Sequence, residues 1–293
     1  MLFTSLRTGR SLRRAAARLV VVGLCAALAG GVATGETRTI TVASTTSTQN
    51  SGLFSYLLPQ FKADTGIDVQ VVAVGTGQAI RIATSGDADV LLVHHEASER
   101  KFVADGFGLA RHPVMHNDFV LAGPGSDPAG IRGMNDAAAA LRQIGEGEQV
   151  FVSRGDDSGT HKKELELWQA TGFDPRPASG TWYREAGSGM GATLNTASAM
   201  GGYTLTDRAS WVSFGNKGEL EILLEGDARL HNPYTAIVVN PERHPHVRAS
   251  EAQAFVDWLT SGRGQAAIAA YRVDGQQLFF PDALPEAGGA DED

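Results

Sequence analysis

The 293-residue sequence contains one cysteine, Cys25, so neither an intramolecular disulfide nor a cysteine metal site can organise it. It also lacks a basic block. With 25 Lys and Arg against 33 Asp and Glu, the formal charge is −8. Nucleic acids and anionic membrane surfaces need a dense positive footprint, which removes both from the expected partners. No apolar run reaches the roughly 20 residues that span a bilayer, and there is no repeat or low-complexity block. What remains is ordinary globular composition, 42% hydrophobic with 35 glycines, enough for one large domain or two modest ones.

Residues 1–33 differ from the rest. Arg7, Arg10, Arg13, Arg14 and Arg18 precede an apolar run over 19–29, no acidic residue occurs, and Gly31-Val32-Ala33 offers small residues at the −3 and −1 positions of a cleavage site. This predicts a cleaved export signal. Leu24 stands before Cys25 where a lipid anchor wants a small residue, and the residues after Arg13-Arg14 make a poor twin-arginine context. Cleavage near Ala33 would remove five arginines and the cysteine, leaving 20 basic against 33 acidic side chains, a formal charge of −13.

From Thr39 onward short β-rich runs alternate with longer helical ones. Strands are predicted at 40–42, 69–74, 88–93 and 118–123. Between them, helices are predicted from the spacing of Leu53, Phe54, Leu57, Leu58 and Phe61, weakened near its end by Pro59, and over 78–84 and 98–105. A second set follows: helix 134–144, strand 149–152, helix 158–171, a Gly-rich turn and helix 192–200, then strand 234–240 and helices 251–259 and 264–271. The βαβα order predicts an α/β fold of two lobes, each a mostly parallel sheet flanked by helices. Residues 283–293 read as a loose acidic tail.

Three polar loops each fall where a predicted strand gives way to a helix, the usual ligand position in parallel α/β sheets. They are Ser44-Thr45-Thr46-Ser47-Thr48, Gly75-Thr76-Gly77-Gln78 and the nine residues from Ser153 to His161. Any one could be an ordinary helix cap; three in equivalent positions point to a ligand. In the third, Arg154 directly follows a strand and Ser158-Gly159-Thr160 opens a helix whose free N–H groups attract an anion. A guanidinium adds a fork of donors suited to oxyanions. The competing reading pairs Arg154 with Asp156 or Asp157 on a surface turn.

Other arrangements carry less. Ser158 with His161 superficially suggests a serine hydrolase, but a triad base normally comes from elsewhere with its own carboxylate. His94-His95-Glu96 follows a strand as metal ligands might, yet consecutive strand residues face opposite sides, so solvent-facing histidines are expected. His231, His244 and His246, scattered among prolines, read as loop residues. The run Gly189-Met190-Gly191 lacks the context of a dinucleotide fingerprint, and no Walker loop occurs.

With the loops laid out, residues 39–281 closely resemble the tungstate-binding periplasmic proteins of ABC importers, the TupA type. The resemblance is carried by VASTTSTQNSGLF (42–54), VGTGQAIRIATSGDADVLLVHHEASERKFVADG (74–106), NDFVLAGP (117–124), SRGDDSGTHKKELELW (153–168), WYREAGSGMGATLNTASAMGGYTLTDR (182–208) and NPYTAIVVNP (232–241). It implies a two-lobe type II periplasmic-binding fold with crossovers at 117–124 and 232–241. Lobe one would then hold 38–120 plus 240–285, lobe two 121–239, and the tail 286–293. It further implies a monomeric receptor that captures tungstate or molybdate without cofactor or catalysis and hands it to a permease. The implied ligand residues are Thr45, Thr46, Ser47, Thr76, Gly77, Arg154, Ser158, Gly159 and Thr160, with Ser44 standing for the first Thr of the family's TTTS signature. His95-Glu96 departs from the small or proline residues expected there, which would alter the cleft rim. Phosphate is the alternative ligand: it keeps a proton and favours a carboxylate acceptor, which Asp156 or Asp157 would supply.

Overall fold

A computed structural model describes residues 38–283; the expected signal segment and residues 286–293 lie outside them. In chain order β1 (Thr39–Thr45) leads through α1 (Thr46–Asn50) and α2 (Leu53–Thr65) to β2 (Asp68–Val74), α3 (Thr76–Ser85), β3 (Val90–Val93), α4 (Glu96–Ala104) and β4 (Gly108–Pro124). Next come α5 (Ala137–Glu146), β5 (Phe151–Ser153), α6 (Gly159–Thr171), β6 (Tyr183–Glu185), α7 (Met190–Met200), β7 (Thr204–Asp207), α8 (Arg208–Ser213), β8 (Leu220–Leu224) and β9 (His231–Val239). The chain closes with α9 (Ala249–Thr260), α10 (Gly262–Ala270), the hairpin β10 (Arg272–Val273) and β11 (Gln276–Gln277), and β12 (Phe280–Pro281).

The strands β2, β1 and β3 are parallel, with Thr45 opposite Val74 and Ala43 opposite Leu91. Their C-terminal ends therefore share one edge. β3, Val-Leu-Leu-Val, is buried throughout, as a central parallel strand covered on both faces should be. The remainder corrects the expectation of mostly parallel sheets. β9 lies antiparallel to β3, and β4 antiparallel to β9, β12, β7 and β8. Parallel neighbours need a crossover helix between them; β4 and β9 are long strands that carry the chain from one group of elements to the other, and they enter the sheet in the opposite sense. Parallel pairing returns only at β5 with β6.

β4 starts at Gly108, ten residues before the expected strand, and its 17 residues serve both groups. Its first part pairs with β9, while Phe119 to Ala122 pairs with β7 and Leu121 to Pro124 with β8. One core gathers Leu53, Phe54, Leu57 and Phe61 of α2 against Phe255, Trp258 and Leu259 of α9. Another packs Phe151, Trp168, Trp182 and Tyr183 with Leu205 and Leu223, Phe151 meeting Trp168 edge-on at 5.3 Å. Burying each such side chain contributes about 1.5–3 kcal/mol, and this second core anchors β5 and α6 behind the Arg154 loop. α2 continues through Pro59, which sits on its exposed side where the orphaned carbonyl can meet water. No helix among the described residues is long and apolar enough to cross a membrane.

Candidate functional site

All three polar loops lie where the sequence placed them, each opening a helix. Thr45 caps α1, its Oγ1 accepting from Thr48 N at 3.3 Å while contacting Ser47 Oγ at 3.0 Å and Thr48 Oγ1 at 2.7 Å. Ser44 turns the other way: its Oγ donates to Leu92 O at 2.7 Å and ties β1 to β3. Gly75 caps α3 with no side chain, so the first-turn N–H groups have no capping acceptor. Thr76 Oγ1, on a residue only 1% exposed, has no hydrogen-bond partner among the described residues. Ser158 caps α6, accepting from His161 N at 3.2 Å, and Gly159 and Thr160 form the first turn beneath it.

The loops meet. A Cβ on Gly159 would stand 2.7 Å from His94 Cε1 and 3.0 Å from Thr76 Oγ1, so only glycine lets the start of α6 approach the start of α3 this closely. A Cβ on Gly77 would overlap Asp157 Oδ2. Ser47 Oγ lies 3.5 Å from His94 Nε2. Ser47, Thr76, His94 and Gly159 thus surround one small polar space, with Thr45 one hydrogen bond behind.

His94 corrects the expectation of a solvent-facing residue. It is 6% exposed and lies just past the end of β3, where strand alternation no longer governs its direction. Its Nδ1–H donates to Asn232 Oδ1 at 2.8 Å, Asn232 Nδ2 donates to Asn117 Oδ1 at 2.6 Å, and the ring stacks on Tyr234 at 4.7 Å. Burial, the largest influence, lowers its pKa to about 4, so the ring is neutral at pH 7. β4 and β9 therefore supply the floor of the space through Asn117, Asn232 and Tyr234. Asn117, Asn232 and Tyr234 were not among the expected site residues, and His94 was expected to face solvent; the available signal for His94 was a polar residue ending an otherwise apolar strand.

Arg154 combines the two readings its sequence context allowed. It is 3% exposed, yet its Nε donates to Asp156 Oδ2 at 3.2 Å and Nη2 donates to the same oxygen. Asp156 Oδ1 accepts from Ser158 N at 3.2 Å, so both of its oxygens are engaged within the loop. Asp157 pairs with Lys162 and stands 3.9 Å from Arg81 of α3. Behind the loop, Tyr183 OH donates to buried Glu164 at 2.7 Å, and burial pushes that carboxyl up to about 7.

At the rim, His95 caps α4 and its Nε2 reaches Glu166 of α6 at 3.2 Å; that hydrogen bond, ahead of one from Lys163, lowers Glu166 to about 2. Both residues line a 440 Å³ groove with His94 and Asn232. A 490 Å³ cavity lies elsewhere, against Trp168, Phe173 and Pro175. Ser158 and His161 form no catalytic dyad: Ser158 Oγ bonds the backbone of His161, whose Nδ1 accepts from Asp157 N. His244 and His246 sit in the expected loop, donating to Thr84 O and Gly86 O, whereas His231 opens β9 rather than lying in a loop.

The sequence profile of the PBP superfamily domain matches residues 31–263. A tungstate-binding protein, TupA, of Peptoclostridium acidaminophilum is 48% identical over 248 residues, covering 83% of this chain and 86% of that protein. Among solved structures, the tungstate-binding protein TupA of Desulfovibrio alaskensis G20 superimposes with a TM-score of 0.74 at 46% identity, covering 84% of this chain and all of that one. The tungstate ABC transporter structure from Geobacter sulfurreducens gives 0.73 at 46% identity, over 80% of this chain and 98% of its own.

Proposed function

The chain belongs to the PBP superfamily, alongside its TupA tungstate-binding members, and from that premise we propose that it is the tungstate receptor of an ABC importer, a binding protein and not an enzyme. It is exported by the 1–33 signal, acts in the periplasm as a monomer, and delivers its ligand to permease subunits. Its two lobes, 38–120 with 240–285 and 121–239, close about the crossovers in β4 and β9. Thr45, Thr46, Ser47, Thr76 and Gly77 donate from lobe one; Arg154, Ser158, Gly159 and Thr160 donate from lobe two. His94 joins them as a wall of the site.

The observation that carries this reading is the unpartnered, buried Thr76 hydroxyl at the meeting of the first turns of α3 and α6. A buried hydroxyl without a partner costs about 1–3 kcal/mol, and an oxyanion between the two helix starts relieves it. Hydrogen bonds to charged groups contribute about 1.5–3 kcal/mol each, so six or seven reach the roughly 12 kcal/mol of nanomolar binding after association costs. The mature charge of −13 does not prevent this, because salt screens distant charges over about 8–10 Å.

Tungstate, fully deprotonated near neutral pH, asks for donors only. Phosphate gains from a free carboxylate acceptor, and the engagement of Asp156 with Arg154 and Ser158 N favours the former. The test is a thermal scan with tungstate, molybdate, sulfate and phosphate. A ligand held by the native state at a thousandfold excess over Kd adds about 4 kcal/mol. Absence of a shift with both tungstate and molybdate overturns the proposal; a shift with phosphate alone makes the chain a phosphate receptor.

A further inference from the structure

We propose that His116, His231 and Asp282 form a second site, for a divalent transition-metal cation of the zinc, copper or nickel class. One ligand-type atom from each residue lies within 4.8 Å of the others, and the three come from different strands or their ends: β4, β9 and the residue after β12. His116 Nδ1 meets Asp282 Oδ1 at 2.6 Å, and its ring centroid is 4.7 Å from that of His231 and 5.3 Å from Phe280, on which it stacks. His116 and Asp282 are half-buried and so held in place, while exposed His231 leaves the group open to solvent. Two imidazoles and a carboxylate suit zinc, copper and nickel, whereas magnesium and calcium take oxygen ligands. Three protein ligands leave a fourth position for water. Nearby Asp118 is not part of the set, because both its oxygens accept from Arg208 at 2.6 Å.

Strand alternation turns this group away from the oxyanion donors, although exposed His231 also borders the rim groove lined by His94 and Asn232. Asn117 and Asn232, paired in register, floor that site, and the residues immediately before them, His116 and His231, point to the other face of β4 and β9. A cation there ties β12 to both long strands without touching the oxyanion donors.

Titration calorimetry of the untagged chain with zinc, nickel and magnesium chlorides tests this independently of the tungstate reading. One zinc or nickel ion per chain is expected, and no magnesium. Binding should weaken at least ~10–100-fold in both His116→Ala and His231→Ala, and less in Asp282→Asn, while His244→Ala and His246→Ala leave it unchanged. Far-ultraviolet circular dichroism and thermal melting report whether each variant folds. Absence of zinc and nickel binding by the wild type, or binding that survives in folded His116→Ala and His231→Ala or is lost with His244 and His246, overturns the proposal.

Discussion

The two sides of the proposed oxyanion site are made from different chemistry. The edge formed by β1, β2 and β3 presents hydroxyls, two helix starts and a neutral histidine, with no formal charge among them. The facing loop between β5 and α6 presents a guanidinium whose charge is already balanced by Asp156. Before a ligand arrives the site is thus close to neutral, and its donors are held by local bonds. An anion that brings its own charge, needs no acceptor and fits between the uncapped first turn of α3 and the first turn of α6 is the ligand both sides accept.

The comparison breaks most readily at Arg154. Arg154→Ala removes the buried guanidinium and leaves Asp156 unbalanced, so calorimetry should show tungstate affinity falling ~100-fold or more, about 3 kcal/mol. Unchanged affinity would place the anion wholly on the hydroxyl side.

His94 tests the neutrality of that side. Its folded pKa, about 4, lies below the usual 6.5, so the unfolded chain binds the proton more readily. Stability should be full above pH 6.5, decline as pH falls, and level off below 4, a loss of about 3 kcal/mol. Denaturant melts across that window should show this slope, and His94→Gln should flatten it.

Gly159→Ala pushes the two sides apart, because its Cβ meets His94 Cε1 at 2.7 Å and Thr76 Oγ1 at 3.0 Å. A loss of about 1–3 kcal/mol in tungstate binding is expected from such overpacking. Thr76→Val removes the orphaned hydroxyl: affinity should drop ~10-fold, while the melting temperature without ligand stays level or rises. A fall in both would assign Thr76 a structural partner.

Glu166→Gln should change least. The carboxylate is lowered to about 2 from its usual 4.5, so the interaction is present above pH 4.5 and lost as pH falls toward 2. The group is half exposed, so solvent screening limits its value at pH 7 to a few tenths of a kcal/mol. A tungstate affinity change above threefold would make the His95–Glu166 contact part of closure rather than rim.

Local sequence recorded the three loops because each is a short-range event: a β-branched run ends, hydroxyls or glycines follow, and a helix begins. It recorded much less of what lies between them. β4 was seen only over its apolar second part, since Leu109 to Pro113 are at least partly exposed and lack the alternation of a half-buried strand. The short β6, β7 and β8 and the six-residue α8 offered too few positions for any period to show. His231 looked like loop because Pro233 follows, yet β9 accommodates that proline opposite His116.

The sequence by itself determined the class of fold, the family, and the polar loops at three helix starts, because capping chemistry, hydrophobic period and family stretches are written in contiguous residues. Only the tertiary structure decided that His94 is buried beneath those donors, that Arg154 is both buried and already paired, and that the sheet turns antiparallel at β9 and β4. Each of these depends on contacts between residues far apart in the chain, as in His94 with Asn232, where the approach of two strands sets burial and direction.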